Sequence, residues 1–240
     1  MYLHELTIKI LTKAKAATRF KVPNTAVWNR KIGPSPWHRT WSIRSMYITP
    51  RDQVVWLKLQ HRTLWTPHVG GMGSKECTVH GCHHYENQQH LVECPHIRRD
   101  FWDKVQTLMA KLDLQYERNS PKFWITGILH TGKAVEKESA AVIFLAWRAL
   151  YAESVHTHLN NKSANLSHAY SYLVTLLHGR ICAYGLKWRI WYLKQRFIQP
   201  QQAKQIPRRY RTHKLYKCDQ YGTFHIHPFI ISEHKRTLQD

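Results

Sequence analysis

The chain has 240 residues, of which 43% are apolar with 10 Trp and 12 Tyr, and this globular composition excludes disorder throughout. Lys and Arg number 36 against 15 Asp and Glu, so the formal net charge at pH 7 is +21. Because a compact protein with this charge repels itself unless a polyanion neutralises it, we expect RNA or DNA as a partner.

The basic residues are concentrated towards the two ends of the chain. Residues 1–51 contain ten Lys or Arg and one acid, whereas residues 52–153 contain twelve and eleven. Residues 154–218 contain twelve Lys or Arg and no acid. Solvated surfaces usually mix both signs of charge, so the pattern favours a self-sufficient centre with flanks that lie along phosphate. A solvated basic surface is the alternative.

The first 22 residues predict a retained amphipathic helix, with Leu3, Leu6 and Ile10 on one face. A mitochondrial transit peptide has a similar pattern, although the acid in this segment is atypical of one, and nothing here has the apolar block of a secretory signal. No run approaches the roughly 18 apolar residues of a membrane span. Because the chain begins at Met1, we expect an independent gene product or a truncated copy.

Four prolines between positions 23 and 50 exclude a continuous helix in that segment. After Pro50, the spacing of apolar residues predicts a helix of about three turns.

A cluster of metal-ligand residues follows that helix. Three of the five cysteines lie within eighteen residues beside several histidines, which is typical of metal ligation in a reducing compartment. Cys77, Cys82, His90 and Cys94 have the spacing C-x4-C-x7-H-x3-C, in which a tight turn supplies two thiolates and the first turn of a helix supplies the other two ligands. We predict one structural Zn2+ in this knuckle. A catalytic zinc would need an open fourth position.

Other residues near the knuckle leave alternatives open. Three free buried thiols with unrelated histidines would give the same pattern, and Glu86 and Glu93 are interpreted as solvent-facing or helix-start carboxylates. Four further histidines are close enough in sequence to replace a predicted ligand: His80, His83, His84 and His96.

Three further helices are predicted beyond the knuckle. Apolar residues recur every three or four positions from Ile97 to Leu112, and apolar helices are predicted from Ser139 to about Leu159 and from Leu166 to about Ile198. Cys182 lies within the last of these and is expected to be a buried thiol.

From Pro200 the sequence is polar, basic and without helical period, which predicts an extended arm. The closing apolar segment, residues 224–231, predicts a short strand that Pro228 limits to a sheet edge. The predicted fold is therefore mostly α, with a helical domain built around a small zinc knuckle and with basic extended N- and C-terminal arms.

The predicted organisation has four units. They are a basic N-terminal helix with a Trp- and Pro-rich extension (1–50), the zinc-knuckle module with its flanking helices (51–115), a helical domain (116–199) and the basic C-terminal arm (200–240).

The run from Trp37 to Trp102 resembles the zinc-binding region that follows the polymerase domain in non-LTR retrotransposon reverse transcriptases. In that family a Trp-rich segment and a helix lead to a Cys knuckle, a Glu-Thr-x-x-His-Leu element, a Cys-Pro pair and a helix that ends in Trp. The resemblance covers about a quarter of the chain. The matching positions are Trp56, Leu64, Thr66, Cys77, Cys82, Glu86, His90, Leu91, Cys94, Pro95 and Trp102.

The spacing of the ligands departs from the family pattern in two places. Three residues separate His90 from Cys94 where the family usually has four, and four separate Cys77 from Cys82 where two or three are common. Either departure is compatible with His96 as a replacement ligand or with a degraded site in a domesticated copy.

The sequence lacks the acids that the family's polymerase requires. Such enzymes hold two metal ions on paired aspartates, and this chain has no Asp-Asp pair. We therefore expect no catalytic site, and a zinc-dependent hydrolase or deaminase is the least favoured alternative.

We expect a non-catalytic zinc- and RNA-binding protein, a structural component of a ribonucleoprotein such as a mitochondrial ribosome, together with other proteins of that particle. The alternative is the nucleic-acid-binding C-terminal module of a non-LTR retrotransposon reverse transcriptase, which would bind target DNA or template RNA. We expect an intracellular, reducing location, mitochondrial or nuclear. The predicted nucleic-acid-binding residues are Lys187, Arg189, Lys194, Arg196, Lys204, Arg208, Arg209, Tyr210, Arg211, Lys214 and Lys217.

Overall fold

The computed structural model describes residues 25–43, 47–64, 66, 75–198, 213–218 and 223–239, with the backbone course alone for residues 188–198. The predicted N-terminal amphipathic helix lies outside these residues. The described elements are α1 (Thr25–Ile32), α2 (Trp37–Ser42), α3 (Pro50–Gln60), α4 (His90–Glu93), α5 (Pro95–Ile97), a π-helical turn (Arg98–Trp102), α6 (Asp103–Lys111), α7 (Pro121–Thr126), α8 (Lys137–Asn160), α9 (Leu166–Ile198), β1 (Tyr216–Cys218), β2 (Phe224–Ile226) and α10 (Pro228–Thr237).

The predicted mostly helical fold is confirmed, and its centre is the pair of long helices α8 and α9, which pack extensively against each other. Residues 139–150 of α8 are buried except for Arg148, as expected for a helix that lies inside a core. Asn161, with φ of 50°, ends α8 in the left-handed conformation. The next turn is held by Glu153, which accepts a hydrogen bond from the Asn165 N–H at 2.8 Å.

A buried carboxylate connects the two long helices to α3. Asp52 is fully buried and forms ion pairs with Arg148 of α8 and with Arg180 of α9, where Nε lies 3.1 Å from Oδ2. Asp52 also completes a capping box with Thr49 at the start of α3. Burial alone would raise the pKa of Asp52, but hydrogen bonds from Thr49 and both arginines lower it below its usual value.

A cluster of tryptophans joins the knuckle region to this core. The ring of Trp102 lies 4.5 Å from that of Trp124 and 5.3 Å from that of Trp147, measured between centroids. Trp102, the central ring of the cluster, donates to Leu91 O at 2.9 Å, and Trp147 donates to Trp124 O at 2.8 Å. The buried indole N–H groups of Trp102 and Trp147 are thus satisfied within the core.

The described part of the predicted C-terminal arm, residues 213–218 and 223–239, is folded and not extended. Strands β1 and β2 pair antiparallel, and β2 lies so close to α9 that a Cβ on Gly185 would meet the Phe224 ring at 2.6 Å. The predicted closing strand ends at Ile226. Pro228 instead begins the helix α10, which the sequence analysis did not predict and which packs on α9.

None of the described helices combines the length and the apolar character that a membrane crossing requires.

Candidate metal centre

The four predicted ligands lie together. The ligand atoms of Cys77, Cys82, His90 and Cys94 are all within 4.8 Å of one another, and no other group of three or more such residues in the described chain meets this limit. The Sγ atoms of Cys82 and Cys94 are 3.8 Å apart, and Cys82 Sγ lies 3.3 Å from His90 Nε2. The group is therefore compact enough to enclose a single ion.

These separations match a tetrahedral site. Bonds of about 2.3 Å to sulfur and 2.0–2.1 Å to nitrogen give tetrahedron edges of about 3.8 Å between sulfurs and about 3.5 Å between sulfur and nitrogen. A disulfide would require about 2.05 Å between sulfurs, and all three cysteines are free. The residues thus fit one structural metal ion.

A short antiparallel pairing positions the first two ligands. Cys77 N–H donates to His84 O at 2.8 Å, and Glu86 N–H donates to Lys75 O at 2.8 Å. Between them the chain turns back, with Cys82 N–H donating to Val79 O at 3.0 Å. Gly81 has a φ of 79° in this turn, a conformation that favours glycine.

The last two ligands lie one helical turn apart, His90 at the start of α4 and Cys94 directly after its end. Asn87 Oδ1 accepts hydrogen bonds from the N–H groups of Gln89 and His90, each at 3.0 Å, and so begins the helix. Cys94 N–H donates to His90 O at 2.8 Å, which places both side chains on one face. The spacing H-x3-C therefore forms the predicted helical half of the knuckle.

The thiols of the knuckle share protons. The hydrogen bond from Cys77 lowers the pKa of the Cys94 thiol despite burial, and His90 lowers it further. The same hydrogen bond raises the pKa of Cys77, and burial raises it further. Burial also raises the pKa of the Cys82 thiol. A metal ion would have to displace these shared protons, since the thiolate is the ligand.

Glu86 was predicted as a solvent-facing or helix-start carboxylate, and the solvent-facing prediction is wrong. Its side chain is buried, and Oε1 accepts a hydrogen bond from the Ser154 hydroxyl of α8. Its other oxygen, Oε2, lies 3.2 Å from Nε2 of His158, one turn further along α8. Glu93, by contrast, is exposed as predicted.

A second contact holds the knuckle on α8. The Thr157 hydroxyl donates to Thr78 Oγ1 at 3.1 Å, and the Ala164 N–H donates to Thr78 O at 2.9 Å. Thr78, which follows the first ligand, was not singled out by the sequence analysis. Its partners lie more than seventy residues away in the chain, so no local sequence pattern predicts these contacts.

The alternative ligands do not join the group. His80, His83 and His84 are exposed and His96 is half-buried, and none of the four belongs to the group of ligand atoms within 4.8 Å. The ring of His84 lies 5.8 Å from that of His90.

The predicted nucleic-acid-binding residues fall in three groups. Lys187 on α9 and Lys217 on β1 are exposed, whereas Lys214 is tied to the core by an ion pair with Glu136 at 2.9 Å and by a hydrogen bond to Asp113 O at 2.6 Å. Three residues lie in the part of α9 whose side chains are not described, namely Arg189, Lys194 and Arg196. Five lie outside the described residues: Lys204, Arg208, Arg209, Tyr210 and Arg211.

Cys182 was predicted to be a buried thiol, and that prediction is wrong because the side chain is exposed on α9.

The fold and the site together define a mostly helical protein with a buried Cys-Cys-His-Cys group that can hold one metal ion. No protein-family model, curated protein or solved structure matches the chain.

Proposed function

We propose that this protein is a non-catalytic zinc- and RNA-binding protein, a structural component of a ribonucleoprotein such as a mitochondrial ribosome. The observation that carries the proposal is the combination of a buried Cys-Cys-His-Cys group with a segment, residues 154–218, that holds twelve Lys or Arg and no acid. The first feature is typical of a structural site and the second of a phosphate-binding surface.

The donor set supports zinc as the metal. Three thiolates and one imidazole in a tetrahedron suit Zn2+, which has no geometric demand of its own, whereas Mg2+ and Ca2+ prefer oxygen. Four protein ligands complete the shell, so no position is left for a water that would act as a nucleophile. The carboxylate of Glu86, the buried acid between the ligands in the sequence, accepts a hydrogen bond from Ser154 and lies against His158.

The acids of the folded body support RNA as the partner. Many of them are paired with a basic side chain of the protein, for example Glu136 with Lys214 at 2.9 Å and Glu233 with Arg236 at 2.7 Å. Asp52 likewise faces two arginines. Acids that are paired in this way do not neutralise the remaining exposed lysines and arginines, so the surface keeps an excess of positive charge.

The alternative function is the nucleic-acid-binding C-terminal module of a non-LTR retrotransposon reverse transcriptase, which would bind target DNA or template RNA. It is supported by the residues that carry the resemblance, because Leu91 and Trp102 are buried beside the last ligands and joined by a hydrogen bond from Trp102 Nε1 to Leu91 O at 2.9 Å. Trp56 is buried against Phe144 of α8. In both cases the free thiols suit a reducing compartment, mitochondrial or nuclear.

The test neutralises Arg208, Arg209 and Arg211 together by substitution with alanine. Binding of a random-sequence single-stranded RNA should weaken, and the slope of log affinity against log salt should fall by roughly 0.7–0.9 for each lost phosphate contact. Tyr210→Ala should lower affinity at an unchanged slope, because stacking on a base releases no counterion.

A matched control removes the same charge from the nearly neutral centre. Lys111, Lys133 and Arg118 are exposed there, and their triple substitution by alanine should leave the slope close to that of the parent. Equal slopes for both triple variants and the parent would contradict the proposed surface. A parallel titration with DNA of the same sequence bears on the two candidate functions, since a preference for DNA would favour the module that binds target DNA and would contradict the ribonucleoprotein.

A further inference from the structure

His178 contacts two other metal-ligand side chains, Cys182 and His234, where α10 packs on α9, away from the knuckle. His178 and Cys182 lie one turn apart on α9, with Cys182 Sγ 3.8 Å from Nε2 and 3.9 Å from Nδ1 of His178. The ring of His234 on α10 stands edge-on to that of His178, with 4.2 Å between their centroids. Cys182 is exposed and both histidines are half-buried.

We propose that His178, Cys182 and His234 form a second metal site, which binds one borderline-soft divalent ion such as Zn2+ with water in the fourth position. One thiolate and two imidazoles are ligands that such ions prefer. Binding forms one metal–sulfur and two metal–nitrogen bonds and releases the thiol proton to solvent. The exposure of Cys182 leaves room for the water.

The three donor atoms do not all lie within 4.8 Å of one another as they stand, so side-chain rotations must bring them together around the ion. Cys182 Sγ is almost equidistant from the two ring nitrogens, so it lies beside the His178 ring and not in line with a lone pair. A turn of the imidazole about its Cβ–Cγ bond brings one nitrogen towards the sulfur, and torsions of this kind have broad, shallow minima. The backbone already supplies the i, i+4 spacing, which puts both side chains on one face of α9.

The three donors have no competing partners. Apart from their contacts with one another, their side chains make no hydrogen bond or ion pair with any other part of the described chain. The third donor is nevertheless held in place, because Tyr170 of α9 donates to Glu233 of α10 at 3.1 Å. Because these side chains have no other hydrogen bonds to break and lie on two packed helices, binding an ion costs little rearrangement.

This site differs from the knuckle in a way that an experiment can use. The knuckle ligands are largely buried, whereas the second site opens to solvent, so a metal there should exchange faster. The sequence neighbours of His234 include Lys235 and Arg236, whose charges oppose a cation. The negative thiolate must offset them, which makes Cys182 the ligand whose loss should matter most.

The test uses the full chain with its knuckle loaded with one zinc per molecule. Co2+ is titrated while absorption and heat are recorded, and a zinc-sensitive dye reports any zinc displaced from the knuckle. We expect one additional Co2+ per chain, a sulfur-to-cobalt charge-transfer band and no released zinc. Since loss of an outer partner alone costs 10–100-fold in affinity, Cys182→Ser should weaken binding at least about tenfold and remove the band.

Two control variants make the result specific. Cys218→Ser removes the other cysteine outside the knuckle, and His225→Ala removes an exposed histidine on β2; both should bind the second Co2+ like the parent. His234→Ala should also weaken binding, but less than Cys182→Ser, because it leaves the negative thiolate in place. Circular dichroism and zinc content of each variant show that it is folded. Absence of a second Co2+, or a band that survives Cys182→Ser, would overturn the proposal.

Discussion

Replacement of Glu86 by glutamine measures how strongly the knuckle is anchored to the helical core. The buried carboxylate accepts from Ser154 with one oxygen and lies 3.2 Å from His158 Nε2 with the other. Glutamine has nearly the same shape, but it replaces one of the two carboxylate oxygens by an NH2 group. That NH2 group then faces either Ser154 or His158 in place of an oxygen. One hydrogen bond to a charged group is therefore lost, and such bonds contribute about 1.5–3 kcal/mol.

We expect the free energy of unfolding of the zinc-loaded protein to fall by about 2 kcal/mol in Glu86→Gln, which corresponds to a factor of about 30 in the folding equilibrium. Urea titration followed by tryptophan fluorescence gives this value, and the transition midpoint should move without a change of slope. Ser154→Ala, combined with Glu86→Gln in a double-mutant cycle, then isolates the energy of the Ser154 contact.

Glu93 provides the matched control, because it lies in the same segment but is exposed. Glu93→Gln should change the stability by no more than about 0.5 kcal/mol. Equal stabilities of Glu86→Gln and Glu93→Gln would refute the reasoning, since the buried carboxylate would then contribute nothing as an anchor.

Two further predictions concern the metal and the buried Asp52. A chelator should remove one zinc per chain, and the double variant Cys82→Ser, His90→Ala should lack that zinc. Amide hydrogen exchange in residues 75–111 should then accelerate. Unchanged protection of these amides would contradict a structural metal. The lowered pKa of Asp52 means that its stabilising effect is complete above its unfolded pKa of about 3.9 and is lost as pH falls through the lower folded value. Below about pH 4 the stability of the parent should therefore approach that of Asp52→Asn, as urea titration at several pH values would show.

The long helices and the ligand group are the parts that the sequence predicts well. The predicted helix from Leu166 to about Ile198 has those bounds in the structure, and the helix predicted from Ser139 to about Leu159 runs from Lys137 to Asn160. In both, a sustained apolar period is the signal, and it is local to the segment. The sequence signal for the knuckle is also local, since two of its ligands lie in one turn and the other two at one short helix.

The exposure of Cys182 is not predicted by the local apolar period. The buried face of α9 includes Leu173, Leu177 and Ile181, which recur every four residues. Cys182 directly follows Ile181 and is therefore rotated by about 100° from that face, which places it in solvent. The sequence shows that the stretch is apolar, but the rotation has to be counted from the buried residues, and these are known only once the partners of α9 are known.

The sequence does not predict the burial of Glu86, for a different reason. Its partner Ser154 is 68 positions away, and nothing in the residues around Glu86 distinguishes it from the exposed Glu93. The only signal is on the distant helix, where Ser154 and His158 are four residues apart and so share a face. The residues on both sides become informative only when the two elements are known to touch.

The helix α10 was missed although its signals are local. Pro228 occupies the first turn, the side chain of His227 accepts from Phe229 N–H at 3.3 Å, and basic residues fill the last turn. The apolar segment of residues 224–231 predicts a short strand, and Phe224–Ile226 of that segment form β2. Pro228 cannot donate a hydrogen bond in a sheet but is well suited to a first helical turn, so the helix begins there.

The contacts of the knuckle extend across the predicted boundary between residues 115 and 116. Thr78 and Glu86 bond to α8, and Trp102, eight residues beyond the last ligand, packs between Trp124 and Trp147. A metal ion that fixes the four ligands would therefore also fix the surface on which the C-terminal half of α8 rests. Because that helix packs along α9, whose later residues carry much of the basic charge, the metal centre would support the proposed RNA-binding segment through the helical core and not through direct contact with RNA.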